Sequence, residues 1–308
     1  MSIREQLVLA DPAAVVERIT TFLIDQVRGQ NRDGAILGLS GGVDSALDAC
    51  LAVKALGLSQ VSLLFLPERD SSPQSRADAV RVATSLGVPL QTVSITPLLR
   101  AMGAYHLEPP ARFIPRTIQE RYVEQRYRAL QGDQPSTFLR TLRGGDGVEE
   151  LRRSNAYLHT KHRLRMVMWY YWGELRNQMI IGNCNLTEKM TGYFIRYGDS
   201  GSDVDPIAGL YKTQVWQLAR FVGVPEEIVQ KAPSPDMAPG MTDEFALQMH
   251  YELLDQILWG LTHAVDPMVI EDETGATAQQ LAYVQDLVRL SAPMRTLPAS
   301  PDLTDLVS

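Results

Sequence analysis

The stretch Ala35-Ile36-Leu37-Gly38-Leu39-Ser40-Gly41-Gly42-Val43-Asp44-Ser45 decides how this chain folds. Residues 35–39 carry no charge and read as a buried strand. A turn of serine and glycine follows, and Leu47, Cys50, Leu51 and Ala55 then recur at helical spacing until Gly57 closes the helix. In such a strand–turn–helix the glycines let successive backbone N–H groups converge beside the positive end of the helix dipole, a place suited to a phosphate. The serine hydroxyls add donors, and Asp44 can hold a magnesium ion. The loop has no lysine, and no G-x-x-x-x-G-K-[ST] sequence occurs in the chain, which excludes a kinase-like or GTPase-like loop. The bland alternative is a glycine–serine turn with a capping aspartate. The strand on one side and the amphipathic helix on the other argue against it.

Outward from that loop the alternation continues. Asp11-Pro12 is a helix start, and Val15, Val16, Ile19, Phe22 and Leu23 follow at helical spacing. Val61 to Leu66 reads as a second strand. Ser72-Pro73 opens a helix with Ala77, Val80 and Ala83 inward and Gly87 at its end, and Leu90 to Ile95 reads as a third strand. A helix around Leu164 to Trp172 leads to Met179-Ile180-Ile181 as a buried strand, and a further helix is expected from about Thr213 to Val222. Short connections between such elements predict an α/β fold, a doubly wound parallel sheet with a helical C-terminal extension and ligands beyond the carboxyl ends of the strands. Residues 1–290 read as one domain, and 291–308 as a proline-rich tail. Residues 103–155 depart from the scheme, with Glu108-Pro109-Pro110, Arg121-Tyr122, Arg126-Tyr127-Arg128 and Gly144-Gly145-Asp146-Gly147. They predict a partly helical excursion over the active face.

The chain has 308 residues, 45% of them hydrophobic, and a net charge of −7, which argues against a protein that grips nucleic-acid backbone. Cys50 and Cys184 are the only cysteines, so no disulfide framework or multi-cysteine metal site is expected, and both read as small buried residues. His159-x-x-His162 is a weak metal signal on its own. The N-terminus is polar and no apolar run approaches a membrane span, so a cytoplasmic protein without membrane or nucleic-acid partners is expected.

The second half carries Gly182-Asn183-Cys184-Asn185-Leu186-Thr187-Glu188, then Thr191-Gly192-Tyr193-Phe194 and Tyr197-Gly198-Asp199-Ser200-Gly201-Ser202-Asp203. Asp205-Pro206-Ile207, Leu210-Tyr211-Lys212-Thr213-Gln214-Val215 and Lys231-Ala232-Pro233-Ser234 follow. The S-G-G-x-D-S loop resembles that of the ATP pyrophosphatase superfamily, and the succession after it resembles the core of the ammonia-dependent NAD synthetases. The resemblance spans the chain apart from 103–155 and part of the tail.

That resemblance implies an adenine-nucleotide α-hydrolase-like fold and an ATP-dependent amide-forming ligase. The acid would be deamido-NAD, the nucleophile ammonia, and the products NAD, AMP and pyrophosphate. It implies ATP contacts at Gly38, Leu39, Ser40, Gly41, Gly42, Val43, Asp44, Ser45, Asn183, Lys212 and Ser234, and Mg2+ on Asp44 and Glu188. It assigns chemistry to Asp44, Glu188, Lys212 and Asp199, and acid-substrate contacts to Arg163, Arg196 and Asp203. It further implies a homodimer, with ammonia arriving free or from a separate supplying partner. Several positions differ from the family pattern. His159 stands where asparagine is usual, Asn183 and Ser234 where threonine is usual, Arg196 where lysine is usual, and Pro293-Met294 where a His-Lys pair is usual. The same adenylation of a different carboxylic acid or amine is therefore the alternative. A sulfur-transfer relative is disfavoured by charge and cysteine usage.

Overall fold

Strands β1 (Gly34–Gly38), β2 (Val61–Phe65), β3 (Leu90–Thr92) and β4 (Gln178–Ile181) form one parallel sheet in the order β3-β2-β1-β4. The computed structural model describes residues 1–107, 114–236, 238–296 and 298–301. Ala35 pairs with Val61 on one side and Met179 on the other, so β1 is flanked on both edges. Its side chains alternate between two cores: Ala35 and Leu37 enter one, and Ile36 enters another with Leu64, Ile180 and Trp169. Burial on both faces is why this strand reads as a continuous apolar run rather than an alternating one.

The helices of five or more residues in chain order are α1 (Pro12–Gly29), α2 (Val43–Leu56), α3 (Pro73–Leu86), α4 (Thr96–Ala101), α5 (Arg116–Gln131), α6 (Thr137–Leu142), α7 (Glu149–Leu175), α8 (Leu186–Thr191) and α9 (Lys212–Val222). A C-terminal group follows, α10 (Asp243–Leu247), α11 (Tyr251–Thr262), α12 (Pro267–Thr274) and α13 (Ala278–Ser291). Helices α1, α2, α3 and α9 cover one face of the sheet, and α4 and α7 the other. Each fully buried leucine on the first face, such as Leu23, Leu47 or Leu51, contributes about 1.5–3 kcal/mol. The C-terminal helices build a separate core around Tyr251, Leu254 and Leu258, and Trp216 of α9 packs against both this core and the first.

The expected caps are present. Asp11 accepts from the Ala14 N–H at 3.0 Å, Ser72 from the Gln74 N–H at 3.2 Å, and Gly87 ends α3 in the left-handed region. Three details differ from the sequence reading. The inward stripe of α3 is Ala79, Val82 and Ala83, and Val80 faces solvent, as does Phe22 of α1. The third strand stops at Thr92, although the Val93 and Ile95 N–H groups still donate to Phe65 and Pro67, because Pro97 starts a helix there. The helix expected around Leu164 to Trp172 begins at Glu149, so the excursion is more helical than its glycines suggested. Trp169, Tyr170 and Trp172 share one core, with Trp169 on Gly38 and Tyr170 donating to Asp203, while Tyr171 is exposed.

The tail is fastened at its start, where Arg295 donates to the Lys189 and Met190 carbonyls. Glu108-Pro109-Pro110 and the tail past 301 lie outside the described residues. No helix among the described residues is long and apolar enough to cross a membrane.

Candidate active site

Chain order reverses beside β1, since β2 and β3 lie on one side of it and β4 on the other, and the crevice at the carboxyl end of β1 holds the loop. Gly41 has φ +83°, and a Cβ there would sit 2.5 Å from the Ser75 carbonyl oxygen of α3, so this position requires glycine. Ser45 Oγ accepts from the Ser40 N–H at 3.2 Å and donates to the Gly42 carbonyl at 3.0 Å. Ser40 Oγ accepts from the Gly42 N–H at 3.2 Å. These bonds hold the turn in shape, and the N–H groups of Val43, Asp44 and Ser45 have no intrahelical acceptor at this end of α2. Together they form an anion site of the kind helix N-termini provide.

Asp44 meets two residues distant in sequence. Its Oδ2 accepts from Lys212 Nζ at 2.5 Å, and its Oδ1 accepts from Asn185 Nδ2 at 3.0 Å. Glu188 stands 3.8 Å from the same lysine. Asn185 and Glu188 cap α8 reciprocally, the Glu188 N–H donating to Asn185 Oδ1 and the Asn185 N–H to Glu188 Oε2. Burial, reinforced by Asp44, pushes the Glu188 carboxyl well above its usual range. Burial works against the charge of Lys212, but Asp44 and Glu188 outweigh it and hold the ammonium above its ordinary value. Two carboxylates therefore already share one cation here. Their oxygens are the hard donors that magnesium takes when phosphates complete its shell, so Asp44 and Glu188 fit that ion.

Three buried acids behind this cluster carry no signal in the sequence. Asp255 of α11 accepts from Thr187 Oγ1 at 2.6 Å and from the Thr213 N–H at 2.8 Å, while Thr187 Oγ1 accepts from the Lys212 N–H at 2.9 Å. It thus ties the helix carrying Glu188 to the one carrying Lys212, and burial raises it to about 6. Asp243, bonded to the Tyr251 hydroxyl, is likewise raised by burial to about 6. Asp48, one turn beyond Asp44, is fully buried with no hydrogen-bond partner among the described residues, and burial raises it strongly.

Around the cluster lies a cavity of about 370 Å³, walled by Gly38 to Ser40, Gly42 to Ser45, Asn183, Glu188, Lys212 and Ser234. Asn183 donates to the Gly38 carbonyl at 3.3 Å. Ser234 donates to the Met241 carbonyl at 2.7 Å and shapes the loop it sits in. Lys231, which sequence reasoning did not single out, bonds Asp78 at 2.8 Å and reaches the Gly41 carbonyl at 3.5 Å. It braces the phosphate loop against α3.

A second chamber of about 470 Å³ shares Tyr193, Asp199, Pro235, Ala238 and Met241 with the first. Helices α5, α6 and α7 line it with mostly apolar side chains, among them Val123, Leu130, Phe138 and Tyr157. At one edge Arg69 and Asp70 face it, and the fully buried Lys161 pairs with Glu68 at 2.9 Å and Asp70 at 3.0 Å. Burial opposes the Asp70 charge, but Lys161 and Arg69 pull its carboxyl down to about 2.

Asp199 is where the two cavities meet. Its Oδ1 accepts from the Ile195 N–H at 2.6 Å, and its Oδ2 lies 3.3 Å from His162 Nδ1. His159 lines the second chamber, and burial with Arg163 close by lowers its imidazole to about 4. The other three acid-side residues stand apart from both cavities. Arg163 donates to the Arg196 carbonyl at 3.3 Å, Arg196 to the Thr296 carbonyl at 3.0 Å, and Asp203 accepts from the Ile180 N–H at 2.8 Å and the Tyr170 hydroxyl at 3.0 Å.

A parallel sheet with a helix N-terminus at its switch point, two carboxylates and a buried lysine forms a site for a polyanion, and the relatives of the chain show it to be a carbon–nitrogen ligase. The sequence model for NAD synthase matches residues 15–131 and 137–298. The chain belongs to the NAD synthase family. It is 46% identical over 245 residues to the NH(3)-dependent NAD(+) synthetase of Thermotoga neapolitana, covering 80% of this chain and 83% of that one. Its identity to the Thermotoga maritima NH(3)-dependent NAD(+) synthetase is 43% over 271 residues, 88% of this chain and 94% of that one. Among solved structures, the NMN synthetase of Francisella tularensis superimposes with a TM-score of 0.70 at 26% identity, covering 95% of this chain and 99% of that one. The NH3-dependent NAD synthetase of Campylobacter jejuni shares the fold, with a TM-score of 0.68 at 21% identity over 96% of this chain and 100% of that one.

Proposed function

We propose that this chain adenylates the carboxylate of deamido-NAD with ATP and lets ammonia displace AMP, giving NAD, AMP and pyrophosphate. The observation that carries the reading is the convergence of Asp44, Glu188 and Lys212 at the N-terminus of α2, in a cavity that shares a wall with an apolar chamber. A nucleotide fits the first and the aromatic acid the second, with the reacting carboxylate between them. The amides of Val43 to Ser45 and the Lys212 ammonium offset phosphate charge as a second anion approaches. Asp44 and Glu188 would hold Mg2+, which would supply further positive charge on the phosphates. Incubation with magnesium, ATP, ammonium and deamido-NAD tests the reading. AMP and NAD are expected together, and ADP in their place would refute it.

The acid-side residues extend this picture. Arg163 lies four residues before Val167, and Val167, Tyr171 and Leu175 form an exposed apolar stripe on α7. A homodimer formed on that stripe would bring Arg163 and Arg196 toward the acid of the partner. Asp203, already bonded to β4, serves by holding the loop from Asp199 in place. A light-scattering mass of one chain at micromolar concentration would rule the dimer out. The second reading, the same chemistry on another acid, is favoured by His159 and Met294 in the chamber wall and by the likeness to an NMN synthetase. The mononucleotide acid therefore belongs in the same assay.

A further inference from the structure

We propose that His162, oriented by Asp199, is the base that takes the proton from ammonium in the second step. This rests on the amide-forming reading above. The first consideration is place. The acyl group must join the nucleotide cavity to the acid chamber, and Asp199 lies in the wall of both while His162 lines the first beside it. The bond to AMP is broken, and the bond to nitrogen made, at that junction.

The second consideration is which atom is available. Asp199 Oδ1 accepts from the Ile195 N–H at 2.6 Å, and Oδ2 lies 3.3 Å from His162 Nδ1, within ion-pair distance. With its proton on Nδ1, beside the carboxylate, the ring presents Nε2 as the acceptor. Nε2 is buried and has no hydrogen-bond partner among the described residues, and His162 is 8% exposed. An acceptor with no partner, in the wall of the cavity where an ammonium must lose a proton, is matched by that ion.

The step balances. Ammonium gives one proton to Nε2, and the freed ammonia attacks the acyl carbon to form the C–N bond. The C–O bond to the adenylate breaks and its electron pair leaves on the AMP phosphate. The second proton leaves nitrogen as the adduct collapses and goes to water, as the imidazolium later returns its own. The charged and titratable groups near the imidazole include Asp199 on the following loop, His159, Arg163 and Arg165 on its own helix, and Asp44, Arg116, Glu120, Cys184, Glu188, Tyr193, Lys212, Lys231, Asp236 and Asp243 in the same cavity wall. Asp199 Oδ2 lies 3.3 Å from the ring.

The test separates the two half-reactions in His162→Asn and His162→Gln. Pyrophosphate–ATP exchange with deamido-NAD and no amine reads adenylation and is expected to stay within about threefold of wild type. Ammonium-dependent NAD formation is expected to fall about a hundredfold or more. Its rate should then track free ammonia, rising about tenfold per pH unit through the neutral range. Hydroxylamine, a free base at neutral pH, should give hydroxamate at nearly the wild-type rate. Equal losses with ammonium and hydroxylamine, or an equal loss of exchange in both variants, would make His162 structural and overturn the proposal. Wild-type protein that fails to exchange pyrophosphate at all would instead overturn the reading beneath it, and the proposal with it.

Discussion

The two cavities that meet at Asp199 are built in opposite ways. The nucleotide side is made of charges at fixed distances: Asp44, Asn185, Glu188 and Lys212 bond one another, and Thr187 and Asp255 lock their helices together. The acid side is made of surface, with Val123, Leu130 and Phe138 offering shape and the Arg69–Asp70–Lys161 network stiffening one edge. Phosphate chemistry needs particular atoms, so it can be written in a short motif. Recognition of an acid by an apolar chamber needs only complementary volume, and many sequences supply that.

The comparison breaks first at its charged side. Asp44→Ala and Glu188→Ala are each expected to lower AMP formation by about a hundredfold to a thousandfold, since each removes a charge placed against the phosphates. Near-normal turnover in either would remove the metal assignment. Thr187→Val sharpens the point without touching the phosphates. It cuts the bond to the Lys212 N–H and leaves an Asp255 oxygen unpaired, which costs about 1–3 kcal/mol of stability and should lower turnover about tenfold. Denaturant melts and initial rates check the two effects separately. On the other side, Val123→Trp fills the chamber and should raise the KM for the acid by about tenfold, or about 1.4 kcal/mol, while the KM for ATP stays unchanged. A change confined to ATP would mean that the chamber does not take the acid.

The smallest expected effect is on pH-dependent stability. Asp243 and Asp255 ionise near 6 in the folded protein because burial disfavours their charge, against 3.8 ordinarily. Folding therefore retains protons that the unfolded chain loses between those values, and stability falls as pH rises through that window. Lowering the pH from 7 to 5 should accordingly stabilise the ligand-free protein by about 1 kcal/mol for each of the two acids. Below pH 4 the trend reverses, since Asp70 stays charged down to about 2 in the fold and its contribution is lost as the pH falls. Urea melts across this range, with Asp255→Asn flattening the upper limb, test the sign.

Legibility in the sequence follows the same division. The loop from Ser40 to Ser45 and its flanking elements could be read because local periodicity and turn chemistry agree there. Glu188 was legible through the family resemblance alone, and the capping box it forms with Asn185 emerges only in the structure. Asp255, Asp48 and the His162–Asp199 pair were not, because their meaning lies in burial and in neighbours far along the chain. Val80 misled for a related reason: one apolar residue fits several helical stripes, and only the sheet selects Ala79, Val82 and Ala83. The excursion hid its helices behind glycines that serve as turns between them, as at Gly144 to Gly147.

Adenylation of the acid is the central claim, and label transfer tests it most directly. Deamido-NAD carrying heavy oxygen in its carboxylate is turned over with magnesium, ATP and ammonium, and the AMP is weighed by mass spectrometry. One labelled oxygen in the AMP phosphate, matched mole for mole by NAD, is the expected result. Unlabelled AMP, or label in inorganic phosphate beside ADP, would contradict it.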